Sequence, residues 1–361
     1  MAPSPLFRLL SPVVGRLPAY LRFAQSLHGE NGETVITNLV PSLDALLVAH
    51  AFVEDSRSFL LIVEEATEAE RLYDDLARLV DEVNLALFSE GAHASILKRE
   101  RQKRTQTAEA TAQLLEAIER LAHSTNPLIT IADAESLGTR LPLKKDFAGE
   151  SLTVTSKSEA GFDRLIHWLE VHHFDRKQFV ESAGDFAVRG GIIDVFPYTE
   201  TLPIRIEFFG DTIESMREFD AISQRSIAGR GELVLVPNIL TETETEGEAT
   251  VFDYLAPETV VMSFEPERVT AKMEESGVPI VIMNSLQNFT RFSITAFPPS
   301  RANAIDFASR TQPSFNANLK LIRKELQKLS RDGYKTILMS ETKDLTKRLR
   351  DLMDEGQDEL K

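Results

Sequence analysis

Few residues of this chain have the type and spacing that chemistry requires. There is no cysteine, which removes disulfides, thiolate zinc sites and a cysteine nucleophile. His172 and His173 are adjacent, but no third ligand and no carboxylate at i, i+4 accompanies them, so a helix C-terminal cap is a better reading than a metal site. No hydroxyl nucleophile with a base and an orienting carboxylate can be picked out from spacing. The pattern that does stand out concerns recognition. In Ile204-Arg205-Ile206-Glu207-Phe208-Phe209, period-2 alternation puts Ile204, Ile206 and Phe208 on one face of a strand and Arg205, Glu207 and Phe209 on the other. A Phe among charged residues on a surface strand is the composition of a protein-binding hot spot. The same pattern suits a strand covered on both sides by its own domain, and pattern alone leaves the two readings level.

The strand sits in residues 184–227, which read as three short strands joined by tight turns. Gly190-Gly191 interrupts the first of them, as a bulge or a close backbone approach would, and residues 197–203 form a Pro-flanked connection. A helix over 161–173 precedes this group, with Phe162, Leu165, Ile166 and Leu169 at helical spacing. Residues 1–140 have a different texture. An amphipathic segment at 5–27 leads into strands at 33–39, 59–63, 85–88 and 128–132. Helices are expected at 42–54, with Ser42 as N-cap, at 68–83, and over a long polar stretch ending near His123. Short apolar strands between helices argue for a parallel sheet covered on both faces. The alternating texture resumes near Gly229, with strands expected at 233–236, 259–264, 280–283 and 335–339 and a helix at 316–329. The acidic run 241–248 reads as a surface connection.

Composition narrows the function classes. The 361 residues are 42% hydrophobic and 27% charged, with a net charge of −16. Length suggests two or three domains. Acidity turns the expectation from nucleic acid toward protein partners. No apolar run approaches the roughly 18 residues of a membrane span. The N-terminus lacks a secretory pattern, so a cytoplasmic protein is expected.

VRGGIIDVFP (residues 188–197), PIRIEFFGDTIESMREFD (203–220) and QRS (224–226) together resemble the UvrB-homology module of bacterial transcription-repair coupling factors (Mfd), a segment shared in related form with the excision-repair protein UvrB. Weaker similarity extends over the flanking halves. The resemblance implies an α/β fold: a degenerate RecA-like (P-loop NTPase-type) parallel-sheet domain in two sequence halves, residues 1–140 and 229–361, with a small α+β domain inserted at 141–228. It implies a non-catalytic module that recruits UvrA in nucleotide excision repair, with Arg189, Arg205 and Phe209 as contact residues and Glu207 and Arg217 as neighbours. RNA polymerase, DNA, ATP and magnesium would belong to later domains of a longer protein, leaving this segment without a cofactor.

Active relatives hold phosphates on a G-x-x-x-x-G-K-[ST] loop. The corresponding residues here are Asn38-Leu39-Val40-Pro41-Ser42-Leu43-Asp44-Ala45, which have no glycine and no lysine, while Asp44 adds repulsion. Where a paired Asp-Glu would hold magnesium, Phe264 precedes Glu265, and a phenyl ring is no ligand for that ion. Asp133-Ala134-Glu135-Ser136 looks faintly like a helicase acidic box but matches a different strand end, so these are read as polar loop residues. Asp194 is assigned to strand pairing or a turn. The basic run from Lys98 to Arg104 lies in a stretch (90–125) without Phe, Tyr or Trp, so bases would find no stacking platform and DNA contact should be weak or absent. A UvrB-like damaged-DNA-binding ATPase is the alternative, and the missing lysine speaks against it.

Overall fold

Two distant stretches of sequence interleave to make one parallel sheet. The structure is a computed structural model describing residues 4–29, 32–89, 103–239, 249–297, 304–316, 318–338 and 342–354. It divides into two compact units, Met1–Arg310 and Thr311–Lys361. In the first unit, strands β1 (Glu33–Thr37), β2 (Phe59–Val63), β3 (Leu85–Phe88) and β4 (Ile129–Asp133) come from the early part of the chain. β13 (Val260–Phe264), β14 (Thr290–Ile294) and β15 (Ile305–Asp306) come from the late part. Their order is β15-β1-β14-β13-β2-β4-β3, with every pairing parallel. β14 and β13 thus wedge between β1 and β2 while β15 adds on the far side of β1, and neither stretch can complete the sheet without the other.

All residues of β2, β3 and β4 are buried, as a sheet with helices on both faces demands. On one face, Phe59, Leu61, Ile129, Met262 and Phe292 pack with residues of α1 (Pro5–Val14), α2 (Pro18–Leu27), α3 (Leu43–Asp55) and α4 (Ala66–Ala77). On the other, Leu60, Ile62, Ala132 and Val261 meet α5 (Lys103–His123), α6 (Lys144–Glu150), α8 (Val251–Tyr254), α9 (Pro266–Glu275) and α10 (Ile280–Ser285). Among the described residues no helix is long and apolar enough to cross a membrane.

Between the two stretches lies a second sheet, ordered β11-β10-β9-β8-β7-β6. Its strands are β6 (Asp175–Arg176), β7 (Asp185–Arg189), β8 (Ile192–Val195), β9 (Ile204–Phe209), β10 (Thr212–Phe219) and β11 (Ser226–Gly229). All pairings are antiparallel except β6 with β7. Its inner face packs Ile193, Val195, Ile204, Ile206, Ile213 and Met216 against Leu165 and Leu169 of α7 (Phe162–Val171). β5 (Leu152–Thr155) and β12 (Glu232–Leu235) form a separate two-stranded antiparallel ladder. This ladder holds together the points where the chain enters and leaves the second sheet.

Several expectations need correction. Residues 184–227 hold the four strands β7–β10 and the start of β11 rather than three, because the two-residue turns at Gly190-Gly191 and Gly210-Asp211 leave little non-strand sequence between β7 and β8 and between β9 and β10. The apolar run 280–283 is helical, with Ile282 buried and Val281 60% exposed. A short apolar run cannot be told from a helix segment by periodicity. The true strand, β14, escaped because Thr290, Arg291 and Ser293 interrupt its apolar character. The 233–236 strand belongs to the small ladder, not to the large sheet. Ser42 occupies the N-cap position of α3 as expected, but with φ at 69° its side chain makes no capping hydrogen bond and its hydroxyl donates to Asp75 instead. The 68–83 helix runs over 66–77, followed by a 3-10 turn at Glu82–Asn84. The acidic run 241–248 and residues 98–102 of the basic run lie outside the described residues.

The unit Thr311–Lys361 consists of α11 (Leu319–Arg331) and α12 (Lys343–Asp354). Asn318 caps α11, accepting from the amides of Lys320 and Leu321. Residues 335–338 form no strand, since a strand needs a ladder partner and this unit supplies none among the described residues.

The N-terminal helices are fastened by His50 of α3. Its Nδ1 shares a 2.7 Å hydrogen bond with Ser11 Oγ, and the Tyr20 ring lies edge-on at 4.5 Å. Burial pushes the imidazole below its ordinary value of 6.5. The unfolded chain therefore takes up this proton first. The stability contributed by the neutral ring is complete above the unfolded value and is lost as pH falls through the folded one. Melting scans between about pH 7 and pH 5 should show a falling midpoint, and His50→Gln should flatten part of that fall. An equal fall in the variant would place the effect elsewhere.

Candidate functional site

The outer face of the second sheet is built by two glycine turns. Arg189 pairs with Ile192 across Gly190-Gly191. Gly190 has φ 59°, and a Cβ on Gly191 would stand 3.0 Å from the Phe208 carbonyl oxygen. A side chain there would crowd that carbonyl, and the Phe208 amide donates to Gly191 O at 2.8 Å. Phe209 pairs with Thr212 across Gly210-Asp211, with φ 62° at Gly210. Phe209 is the last residue of β9 and lies beyond the Ile192–Glu207 pair, alongside the side-chain-free turn of the neighbouring hairpin. Nothing covers its ring, and it is 82% exposed.

Register then assembles the charges. Asp194 stands opposite Arg205, Arg205 opposite Arg217, and Glu207 opposite Ser215. Two arginines facing each other across a ladder repel, and each is compensated by an acid. Arg205 makes a two-pronged pair with Asp194, Nε to Oδ1 at 2.7 Å and Nη2 to Oδ2 at 2.8 Å. Nη2 also donates to Gln224 Oε1 at 2.9 Å. Arg189 reaches the same carboxylate through Nη2. Arg217 pairs with Glu207, which also accepts from the Ser215 hydroxyl at 2.7 Å. The hydrogen bond from Arg205 to Asp194 raises the guanidinium above its ordinary value, and the Ser215 and Arg217 bonds hold the Glu207 carboxyl below its own. Each of the first two arginines also lies on a ring, Arg205 4.5 Å from the Phe219 centroid and Arg189 5.0 Å from that of Phe179.

All five residues singled out by sequence, Arg189, Arg205, Glu207, Phe209 and Arg217, thus lie in one connected patch of the sheet. Asp194, Gln224, Phe179 and Phe219 join them and were missed in that role. The alternation Ile193-Asp194-Val195, with its neighbours buried in the core, was the available signal for Asp194.

The end of the large sheet has different chemistry. The loop after β1 is bonded to the chain's own strap at 306–309. Val40 N donates to Ser309 Oγ at 3.1 Å, Ser309 N to Asn38 O at 3.1 Å, and Asn38 Nδ2 to Asp306 Oδ1 at 2.8 Å. The Leu43 and Asp44 amides turn back to Val40 O. Asp44 is buried and pairs with Arg71 at 2.9 Å, while Arg71 also holds Asp75 at 3.0 Å. Phe264 is buried in the core. Glu265 accepts from Ala296 N and Thr295 Oγ1 at 3.0 and 3.1 Å, tying β13 to the end of β14. Asp133 is no surface loop residue: it is 4% exposed, accepts from the amides of Glu135 and Ser136 at 3.0 Å each, and burial raises its carboxyl. His172 closes α7 as a C-cap, with burial lowering its imidazole. Among the described residues no group of three His, Asp or Glu side chains could hold a metal.

The patch lies wholly inside a recognisable module. Residues 152–240 match the UvrB interaction domain. The match begins at β5 and ends just past β12, the two strands of the ladder at the entry and exit of the second sheet. Similar whole proteins include the transcription-repair-coupling factor of Bacillus subtilis (strain 168), 28% identical over 208 residues, covering 56% of this chain and 17% of the relative. That of Staphylococcus aureus (strain USA300) is 26% identical over 238 residues, covering 66% of this chain and 19% of the relative. The chain thus spans less than a fifth of the length of these relatives.

Arg205 and Phe209 should separate in stability measurements. Asp194 is 1% exposed, so Arg205→Ala, leaving only Arg189 to compensate it, should cost about 3 kcal/mol in urea unfolding. Phe209→Ala removes an exposed ring and should stay within about 0.5 kcal/mol of the parent. A neutral Arg205→Ala would refute the account of the buried carboxylate.

Proposed function

We propose that this chain is a non-catalytic module that recruits UvrA in transcription-coupled nucleotide excision repair, presenting the outer face of the β6–β11 sheet as UvrB would. The observation that carries the reading is the exposed Phe209 ring beside a cluster of arginines, within the segment that matches the UvrB interaction domain. The name of the similar proteins, transcription-repair-coupling factor, suggests the pathway. In this reading Phe209 fills an apolar pocket on UvrA while Arg189, Arg205 and Arg217, with Glu207, form the polar rim.

The flanking residues 1–140 and 229–361 are, on this proposal, the two halves of a degenerate RecA-like domain around an inserted domain at 141–228. The parallel sheet with both stretches interleaved supports it. A non-catalytic role is supported by the loop at 38–45, whose Val40, Leu43 and Asp44 amides are bonded within the chain. The Arg71 guanidinium beside that loop is likewise committed to Asp44 and Asp75. Binding of RNA polymerase and DNA, and the use of ATP and magnesium, fall in this reading to other parts of a longer protein. DNA contact by the present chain would be weak or absent, and its place cytoplasmic.

Calorimetric titration with UvrA tests the reading: Phe209→Ala should weaken binding by about 2 kcal/mol or more, and unchanged affinity would remove the interface. The chain should also show no saturable binding of labelled ATP. A signal displaced by excess unlabelled ATP would restore the nucleotide-binding alternative.

A further inference from the structure

We propose that Asp194 is a positioning residue, a buried carboxylate that holds the Arg189 and Arg205 guanidinium groups in one arrangement so that docking finds them already oriented. The inference rests on the docking reading of this face and adds to it a residue that makes no contact with the partner itself.

The geometry separates the roles by depth. The Asp194 side chain is 1% exposed, that of Arg205 18% and that of Arg189 42%. The carboxylate lies beneath and the two cations rise from it. Each guanidinium is held from two sides, by the carboxylate and by a ring, Phe219 for Arg205 and Phe179 for Arg189. Arg205 is restrained further by Gln224, which is anchored through its own Nε2 to Ala221 O at 2.7 Å. Beside the cluster, Val180, Ala187 and Phe219 make a small apolar packing group.

Stability alone does not call for such a cluster. A buried ion triad can often be replaced by apolar residues of similar volume without loss, and Ala187, directly opposite Asp194 in the ladder, shows that apolar side chains fit on this face. The triad's distinct effect is orientation. Arginine loses rotamer freedom on docking, and a side chain already fixed in its bound geometry loses less.

The proposal opposes simple electrostatics in sign. Asp194→Asn keeps the shape, removes one negative charge and leaves the patch more positive. If the carboxylate acts only through its charge, an acidic partner should bind the variant more tightly. If it positions the arginines, the amide nitrogen now confronts a guanidinium donor, the arginines are released, and binding weakens. We expect surface-bound UvrA to hold the Asp194→Asn chain at least about tenfold more weakly, through faster dissociation with association unslowed. In a double-mutant cycle, Asp194→Asn should couple with Arg189→Ala and add independently to Phe209→Ala. Unchanged or tighter binding, or full additivity with Arg189→Ala, would overturn the proposal. A readout without UvrA guards against a variant that folds poorly. In the parent chain the Arg205 Nε–Hε resonance should exchange slowly with water, and rapid exchange there would overturn the proposal. Should the parent chain fail to bind UvrA, the docking reading falls, while the Arg205 resonance still decides whether Asp194 orders the arginine.

Discussion

The structure depends on one constraint of sheet geometry: β13 and β14 must insert between β1 and β2. An interior parallel strand completes its hydrogen bonding only with neighbours on both sides, and all the residues of β2 and β4 are buried. Such strands cannot remain unpaired while the 126 residues between Asp133 and Val260 are left loose. The chain meets the constraint by folding most of the intervening residues into a second sheet with its own core around Phe186, Ile193 and Ile206. The β5–β12 ladder then brings entry and exit together. The inner face of the second sheet packs on α7, and its outer face carries Phe209 and the arginine cluster.

On that outer face the same physics that makes recognition possible also threatens the fold. Arginines on adjacent strands repel, and an acidic group sunk among them would be costly alone. Sharing one carboxylate between Arg189 and Arg205, and pairing Glu207 with Arg217, resolves both problems within the sheet. Phe209 is left as an exposed apolar ring, set at a turn whose neighbour is glycine. At the end of the large sheet the reverse holds. The Val40, Leu43 and Asp44 amides and the Asp44 and Arg71 side chains are bonded within the chain.

The sequence made that outer face legible because its signals are local. Alternation in β9 placed Arg205, Glu207 and Phe209 on one face, whereas the glycine pair, read as a bulge or close approach inside one strand, is the turn that joins β7 to β8. Asp194 could be placed on the outer face by the same alternation, but its partnership with Arg205 depends on the β8–β9 register. The connection at 196–203 conceals that register, since a loop of that length does not specify a pairing. β14 was hidden because its polar residues are stabilised by tertiary contacts, Ser293 donating to Glu33 from the neighbouring strand. Residues 280–283 misled because apolar content carries no period over so short a run. Asp133 was taken for a surface group because nothing in the local sequence reports that it accepts two amides beneath the sheet's end.

Site-specific photo-crosslinking tests the central claim most directly. Two phenylalanines are about equally exposed, Phe209 on the second sheet at 82% and Phe297 beyond the end of β14 at 88%. A benzophenone amino acid placed at each in turn samples the two surfaces with the same chemistry. With purified UvrA, the account predicts an adduct from position 209 and none from position 297. An adduct from 297 alone, or from neither, would contradict it.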